Sequence, residues 1–299
     1  MRIATFNCEN LFARYRFRSN FDALQSDGFT INDLAFSIYN ETEKQITARA
    51  IREVNADVIA LQEVESLPLL DRFNSSYLGG MKYKYRILID SHDPRGIDVA
   101  LLSRYPFISV TSHREERNSN NTGTLFSRDC LEVRIAIPNG ELTAYVNHFK
   151  SMMGGRDQTK AKRVSQADRV TEIISSTWEA SQYEGYYIVL GDLNDYPDSE
   201  TSLTSLLNHE GLVNAVEDLP EEERWTHYYK GGNDYKQLDY LFLSPQLADS
   251  MQSGPQIMRK GMPYRAERYT GERFPNVGDD RPKASDHAPL YVDVEIGGT

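Results

Sequence analysis

The residues best suited to chemistry follow a short apolar run in the second half of the chain, Tyr187 to Leu190. Asp192 and Asn194 come directly after this run, in the sequence GDLND, and Gly191 before them lets backbone or a ligand approach closely. An apolar run that stops at Gly and Asp predicts a core strand whose end opens onto a polar site. The alternative is an Asp/Asn turn that only connects two elements.

Polar residues take the same position after other apolar runs. Asn7 follows the run IATF, Glu63 comes soon after VIAL, and His148 comes soon after LTAYV. A single carboxylate or histidine at a strand end is more often structural than functional. Their repetition after core strands favours one shared polar site, with Glu63 as a metal ligand.

Further acids stand beside apolar segments. Asp98 lies inside the run IDVALLS, where a lone buried carboxylate is costly and needs a cationic or hydrogen-bonding partner. Asp239 begins the run DYLFL, and Asp286 precedes His287 in SDHAP. Imidazole titrates near neutrality, and a carboxylate on its far nitrogen fixes its tautomer. Acids paired with histidines could therefore transfer protons.

The elements that must position these residues alternate between strands and helices. The spacing of Ile46, Ala50, Ile51 and Val54 predicts a helix over residues 42–55. A second helix is predicted to run to Trp178, and a shorter one over residues 199–207. Residues 131–137 alternate in polarity and lead through a Pro-Asn-Gly turn into residues 142–146, which predicts a hairpin.

Three segments have more than one interpretation. Residues 14–41 carry Arg14, Arg16 and Arg18 between aromatic residues, and we interpret them as a partly helical insertion that either grips phosphates or packs its aromatics inward. The locally basic segment 154–169 is either a phosphate-tracking rim or a solvated helix face. Residues 259–283 are predicted to form a long loop.

Composition limits the class of protein. With 299 residues, 39% of them hydrophobic, the chain can bury a sizeable core, and we expect one domain over residues 1–299. No apolar run is long enough to span a bilayer, so we expect a cytoplasmic protein. No repeat or heptad suggests an assembly, so we expect no obligate protein partner. Cys8 and Cys130 are predicted to be buried free thiols. The net charge of -11 argues against a general nucleic-acid coat protein, but an acidic metal site remains compatible with a nuclease.

In order along the chain, the motifs TFN, LQEV, NHFKS, GDLND, LDYLF and SDHAP resemble the endonuclease/exonuclease/phosphatase superfamily, the fold of pancreatic-type deoxyribonuclease. The resemblance covers almost the whole chain. It implies an α/β fold, a four-layer α/β/β/α sandwich of two mixed β-sheets packed face to face with helices outside. The site would lie in a cleft at one edge of the sheets.

The resemblance also implies roles for the residues. Glu63 would bind a divalent cation with Asp286 and Asn7, most simply Mg²⁺, with Mn²⁺ or Ca²⁺ possible. Asp192 and Asn194 would hold the attacking water and the scissile phosphate. His287, with Asp239 behind it, would be the general base pair. His148, with Asp98 behind it, would be a second imidazole that either contacts the phosphate or protonates the leaving oxygen. Arg128 and Lys150 would contact the phosphate.

The implied activity is hydrolysis of a phosphodiester by direct attack of water. The paired histidines and acids, GIDVALLSR and Arg128 resemble the bacterial deoxyribonuclease-like branch, which favours DNA as substrate, with RNA possible. A phosphoesterase acting on inositol phosphate, sphingomyelin or a nucleotide is the alternative. A binding module without activity is disfavoured, because every expected acid, base and ligand is present.

Overall fold

The structure, a computed structural model, describes residues 1–17, 34–38 and 40–296. Two six-stranded sheets form its centre. The first contains, from edge to edge, β15 (Gln256–Ile257), β16 (Leu290–Asp293), β1 (Arg2–Leu11), β4 (Val58–Val64), β6 (Asp98–Ser103) and β5 (Tyr85–Leu88). The second contains β11 (Val213–Asn214), β14 (Asp239–Leu243), β10 (Tyr187–Asp192), β9 (Gly140–His148), β8 (Cys130–Ile137) and β7 (Phe107–Ser112).

The three longest helices cover the outer faces of the two sheets. The α-helices within the described ranges are α1 (Glu41–Val54), α2 (Leu67–Tyr77), α3 (Arg156–Trp178), α4 (Thr204–Leu207) and α5 (Pro245–Asp249). Two small antiparallel pairs lie outside the main sheets: β2 (Ala13–Phe17) with β3 (Leu34–Ile38), and β12 (His227–Tyr229) with β13 (Asp234–Lys236). The predicted four-layer sandwich of two mixed sheets is confirmed.

The apolar runs form central strands because both of their faces are buried. In β4, Val58 and Ala60 point into the core between the two sheets, whereas Ile59 and Leu61 point into the core beneath α1 and α2. Successive side chains of a strand point to opposite faces, so a strand between two cores must be apolar at every position. β10 follows the same rule, with alternate side chains in the inter-sheet core and in the core beneath α3.

Two segments that were predicted to be helical differ in the structure. Of residues 199–207, only Thr204–Leu207 is helical, because the backbone N–H and the hydroxyl of Ser202 both donate to Asp195 and hold the preceding residues in a turn. On residues 14–41, β2 and β3 pair as antiparallel strands where partial helix was expected. Residues 18–33, and with them Arg18, lie outside the described part of the chain.

Other expectations agree with the structure. Helices α1 and α3 occupy the predicted segments, and residues 259–283 contain no helix or strand. Cys8 and Cys130 are both buried free thiols. Within the described ranges, no helix has both the length and the apolar character that crossing a membrane requires.

One glycine sets how closely the central strands of the second sheet approach. Gly191 on β10 lies opposite Asn147 of the parallel strand β9, with φ at +138°. A Cβ atom at this position would lie 1.9 Å from the carbonyl oxygen of Asn147. Only glycine combines this backbone conformation with this contact.

A buried ionic cluster attaches the start of α3 to the end of β10. The Asp195 carboxylate accepts a hydrogen bond from Nε of Arg156 at 2.7 Å and lies 3.5 Å from Nε of Arg163. The side chains of Asp195 and Arg163 are fully buried. Burial raises the pKa of Asp195, but Ser202, Arg156 and Arg163 outweigh burial and lower the pKa below its usual value. Asp195 is therefore ionised and structural.

We predict that Gly191→Ala destabilises the protein by about 2–6 kcal/mol, since the new methyl group both clashes with Asn147 and strains the backbone. Urea denaturation measures the loss. Gly254→Ala is the matched control, because a Cβ there meets no atom within 4 Å. An equal, small effect of both substitutions would contradict the assigned role of Gly191.

We also predict that Asp195→Ala costs about 3–5 kcal/mol of unfolding free energy, because it leaves the Arg163 guanidinium buried without its carboxylate. A folded-state pKa below the unfolded value adds stability above the unfolded pKa, and this stability is lost as the pH falls. The difference between wild type and variant should therefore be largest near neutrality and shrink in acid. The exposed Asp168→Ala on α3 should change stability by no more than about 0.5 kcal/mol. Equal stability of the two variants near neutrality would be the contrary result.

Candidate active site

The carboxyl ends of two parallel strand pairs meet at one edge of the sandwich. Asn7 of β1 is in register with Gln62 of β4, and His148 of β9 is in register with Asp192 of β10. A cleft of about 710 Å³ opens there. The predicted site residues that line it are Glu63, Arg128, His148, Asp192, Asn194, Asp286 and His287.

A chain of buried side chains runs from the second sheet into the cleft. Asp239, in register with Asp192 on the neighbouring strand, lies 2.8 Å from Nδ1 of His287. The other ring nitrogen of His287, Nε2, lies 3.7 Å from the Asp192 carboxylate. One imidazole is thus held between two acids, with its Nε2 directed towards the cleft.

The charges in this chain shift each other's protonation. Burial lowers the pKa of His287, but Asp239, Asp192 and Asp286 outweigh it and raise the pKa well above its usual value. Burial, together with Asp239, raises the pKa of Asp192 to about 7, although His287 and Asn7 act in the opposite direction. A proton can therefore be held between Asp192 and His287 near neutrality.

Asn7 connects the two sheets at the site. Its amide Nδ2 donates to Asp192 at 3.0 Å, and its Oδ1 accepts the backbone N–H of Glu9 at 3.0 Å. Asn7 is 2% exposed and does not line the cleft. Asn194 is fixed in the same way, since its N–H donates to Asp192 and its side-chain amide donates to the carbonyl of Phe149.

The predicted hydrogen-bonded pair of His148 and Asp98 is not formed. Asp98 on the first sheet accepts the backbone N–H of Ser91 at 2.9 Å and also its hydroxyl, so its need for a partner is met locally. Nε2 of His148 lies 3.5 Å from Asp192, whereas its Nδ1 makes no hydrogen bond within the described ranges. Burial, together with the charge of Arg128, lowers the pKa of His148 well below its usual value, so this imidazole is neutral.

Further carboxylates line the cleft. Glu63 adopts a left-handed backbone conformation, with φ at 62°, and its carboxylate accepts the N–H of Asn10 at 2.9 Å. Burial would raise the pKa of Asp286, but Lys283, His287 and His227 outweigh it and lower the pKa to about 2. Glu9 also lines the cleft. These residues supply hard oxygen donors of the kind that Mg²⁺ and Ca²⁺ prefer.

The predicted phosphate contacts differ in their access to the cleft. Arg128 lines it but is 2% exposed, pairs with Asp93 at 3.1 Å and donates to the carbonyl of Phe149 at 3.1 Å. Lys150 does not line the cleft. Its backbone N–H donates to Gln166 at 2.9 Å and so helps to anchor α3.

Several cleft residues were missed in the sequence. His227 on β12 faces His287, and Arg95 lies on the turn before β6. Tyr229 is 58% exposed, and the ring of Tyr196 lies under the Arg156 guanidinium at 3.8 Å. One signal in the sequence could have found His227 and Tyr229. In THYYKGGNDYK, aromatic and polar residues alternate around Gly-Gly-Asn, a pattern typical of a hairpin. This segment precedes the strand that begins with Asp239.

Comparison with solved structures gives matches over nearly the whole chain. D. rerio TDP2 complexed with single-strand DNA product is 16% identical, with a TM-score of 0.62, and covers 98% of this chain and 97% of its own. The human Nocturnin catalytic domain with bound sulfate is 15% identical, with a TM-score of 0.62, and covers 99% and 94%. An endonuclease/exonuclease/phosphatase family protein from Bacteroides thetaiotaomicron is 15% identical, with a TM-score of 0.61, and covers 98% and 96%. These identities establish a shared fold.

Sequence comparison with curated proteins gives no match. The profile of one family, described as "Endonuclease/Exonuclease/phosphatase family", matches residues 2–295. Because this match spans almost the entire chain, and because the sandwich and its cleft agree with it, the protein belongs to the endonuclease/exonuclease/phosphatase family of hydrolytic phosphoesterases and nucleases.

Proposed function

We propose that this protein is a divalent-metal-dependent phosphodiesterase that hydrolyses nucleic acid, with DNA favoured over RNA, by direct in-line attack of water. The observation that carries the proposal is the buried Asp239–His287 pair, 2.8 Å apart, beside Asp192 in an acidic cleft. An oriented imidazole can transfer a proton next to groups that hold a cation. Phosphodiester hydrolysis needs these two functions together.

Glu63 and Asp286 would hold the cation, most simply Mg²⁺, with Mn²⁺ or Ca²⁺ as alternatives. Their carboxylate oxygens line an open cleft in which water could complete the coordination, and this donor set fits a hard divalent cation. Asn7 would support the site from behind, through its hydrogen bond to Asp192. When bound, the cation would act as a Lewis acid towards the phosphate and offset the carboxylates that raise the pKa of His287.

The chain's own residues would position and deprotonate the attacking water. Asp192 and Asn194 would orient the water and the scissile phosphate. His287 would accept the proton at Nε2, while Asp239 on Nδ1 fixes the tautomer and stabilises the imidazolium. No covalent intermediate is required in this sequence of steps.

The other cleft residues would act on the phosphate. His148 is neutral, which supports a hydrogen-bond donor to a phosphate oxygen and disfavours an acid that protonates the leaving group. Arg128 would add positive charge beside it, and Lys150, two residues after His148, would add charge from outside the lining of the cleft. Asp98 would act indirectly, because its bonds to Ser91 steady the turn that carries Arg95.

The rim of the cleft supports a nucleic-acid substrate. Arg156 and Lys236 lie 3.8 Å and 4.2 Å from the centre of the Tyr196 ring, and Tyr229 stands exposed nearby on the rim. Cations beside aromatic rings suit a single strand, whose phosphates are charged and whose bases stack. The complex of D. rerio TDP2 with single-strand DNA product, similar in fold, supports DNA over RNA.

We predict Mg²⁺-dependent cleavage of DNA that EDTA abolishes and that His287→Ala reduces about 10²–10⁴-fold, as expected for loss of a proton-transfer group. Glu63→Ala should lose activity by weakening Mg²⁺ binding. The measurement is cleavage of plasmid DNA, single-stranded DNA and RNA, beside inositol phosphates, sphingomyelin and nucleotides.

His92→Ala is the control, because His92 is exposed and does not line the cleft. Full activity of His287→Ala or Glu63→Ala would overturn the mechanism. Inert nucleic acids together with hydrolysis of a small ester would keep the mechanism and replace the substrate. Cleavage of nucleic acid should weaken steeply with added salt, since phosphate contacts release counterions.

We further predict that Tyr229→Ala lowers the ratio of kcat/KM for single-stranded oligonucleotides to kcat/KM for bis-p-nitrophenyl phosphate. Loss of one base–aromatic stack is worth about 1–3 kcal/mol, roughly a 5- to 150-fold fall in this ratio. Tyr229→Phe keeps the ring and should keep the ratio. An unchanged ratio in Tyr229→Ala would exclude stacking on this side chain.

A further inference from the structure

His227 occupies a position that the proposed reaction does not use. Its strand β12 is attached to the segment before β16 by the bonds of Tyr228 N–H to the carbonyl of Asp286 and of Ala288 N–H to the carbonyl of Thr226. An antiparallel bridge therefore places His227 directly opposite His287. The two rings lie 4.6 Å apart between centroids, tilted by 51°.

The two histidines and Asp286 converge on one point. Nε2 of His227 lies 3.9 Å from the Asp286 carboxylate, and one potential ligand atom from each of the three residues lies within 4.8 Å of the others. Ligand atoms of a tetrahedral site with bonds of about 2.0–2.1 Å lie roughly 3.3–3.4 Å apart. Small side-chain rotations would therefore bring the three groups to coordination distance.

Two features of the cluster favour a metal ion over packing alone. The His227 ring makes no hydrogen bond to any residue in the described ranges, although its side chain is only 15% exposed. Asp239 lies 2.8 Å from Nδ1 of His287, so Nε2 is the nitrogen that remains to bind a metal ion. A carboxylate on the far nitrogen is the usual support of a metal-binding histidine.

We propose that His227, Asp286 and His287 form a site for a transition-metal ion such as Zn²⁺, distinct in ligand chemistry from the oxygen site at Glu63. Two imidazole nitrogens, one carboxylate and a water are a common zinc ligand set, whereas Mg²⁺ prefers oxygen ligands. The consequence for activity rests on the proposed function. Zn²⁺ would occupy Nε2 of His287 and the Asp286 carboxylate, and would inhibit Mg²⁺-dependent hydrolysis.

The test measures Zn²⁺ binding to the full chain by isothermal titration calorimetry, without substrate. Wild type should bind one Zn²⁺, and His227→Gln should weaken this binding at least about 10-fold while weakening Mg²⁺ binding far less. His92→Gln removes an exposed histidine outside the cleft and should leave the binding of Zn²⁺ unchanged. Co²⁺ in place of Zn²⁺ should give visible absorption bands of tetrahedral coordination that His227→Gln loses.

Equal Zn²⁺ affinity of wild type and His227→Gln, with both proteins folded by circular dichroism, would overturn the proposed site. Loss of binding in His92→Gln instead would also overturn it. Inhibition is read as the Zn²⁺ concentration that halves each protein's own Mg²⁺-dependent activity, and this concentration should rise at least about 10-fold in His227→Gln. His227-dependent binding without any hydrolase activity would support the metal site and reject the proposed function. Hydrolase activity together with Zn²⁺ binding that does not depend on His227 would support the proposed function and reject the metal site.

Discussion

The whole cleft depends on the close approach of β9 and β10 at Gly191. A side chain at that position would meet the Asn147 carbonyl at 1.9 Å and separate the strands. Because the strands stay paired to their ends, His148 and Asp192 remain in register. The antiparallel neighbour β14 then adds Asp239 at the same level. Backbone pairing therefore brings three ionisable groups together before any side chain contributes.

Such a cluster needs compensation, because buried charges are costly unless they are paired. Asp192 gains hydrogen bonds from Asn7 of the first sheet and from Asn194 of the next turn. Asp239 forms a hydrogen bond with the His287 ring. A separate ionic cluster at Asp195 attaches α3 to the same turn, so Asp192 is not needed for that attachment. Within GDLND, one acid thus serves the cleft and the other serves the scaffold.

Much of this arrangement was predictable, because the central strands are uninterrupted apolar runs. Each of β1, β4, β9 and β10 is covered on both faces, so its polar residues stand out at its carboxyl end. Strand direction groups Asn7 with Glu63 in the first sheet and His148 with Asp192 in the second. The family resemblance added the expected role of each of these side chains. Short elements such as β12 and β13 carried a weaker signal, because their pairing depends on a turn.

The failures share a physical cause: contacts between separate elements depend on rotamers and loop paths that periodicity does not encode. Asp98 was expected to need His148, yet Ser91, seven residues earlier, satisfies it. His227 lies 60 residues before His287 in the chain and meets it only because β12 folds back against the segment before β16. A lone histidine in a predicted hairpin has many possible neighbours, and only the bridge selects one. The rim of the cleft is built from such segments, so substrate choice is the property of this protein that depends most on tertiary structure.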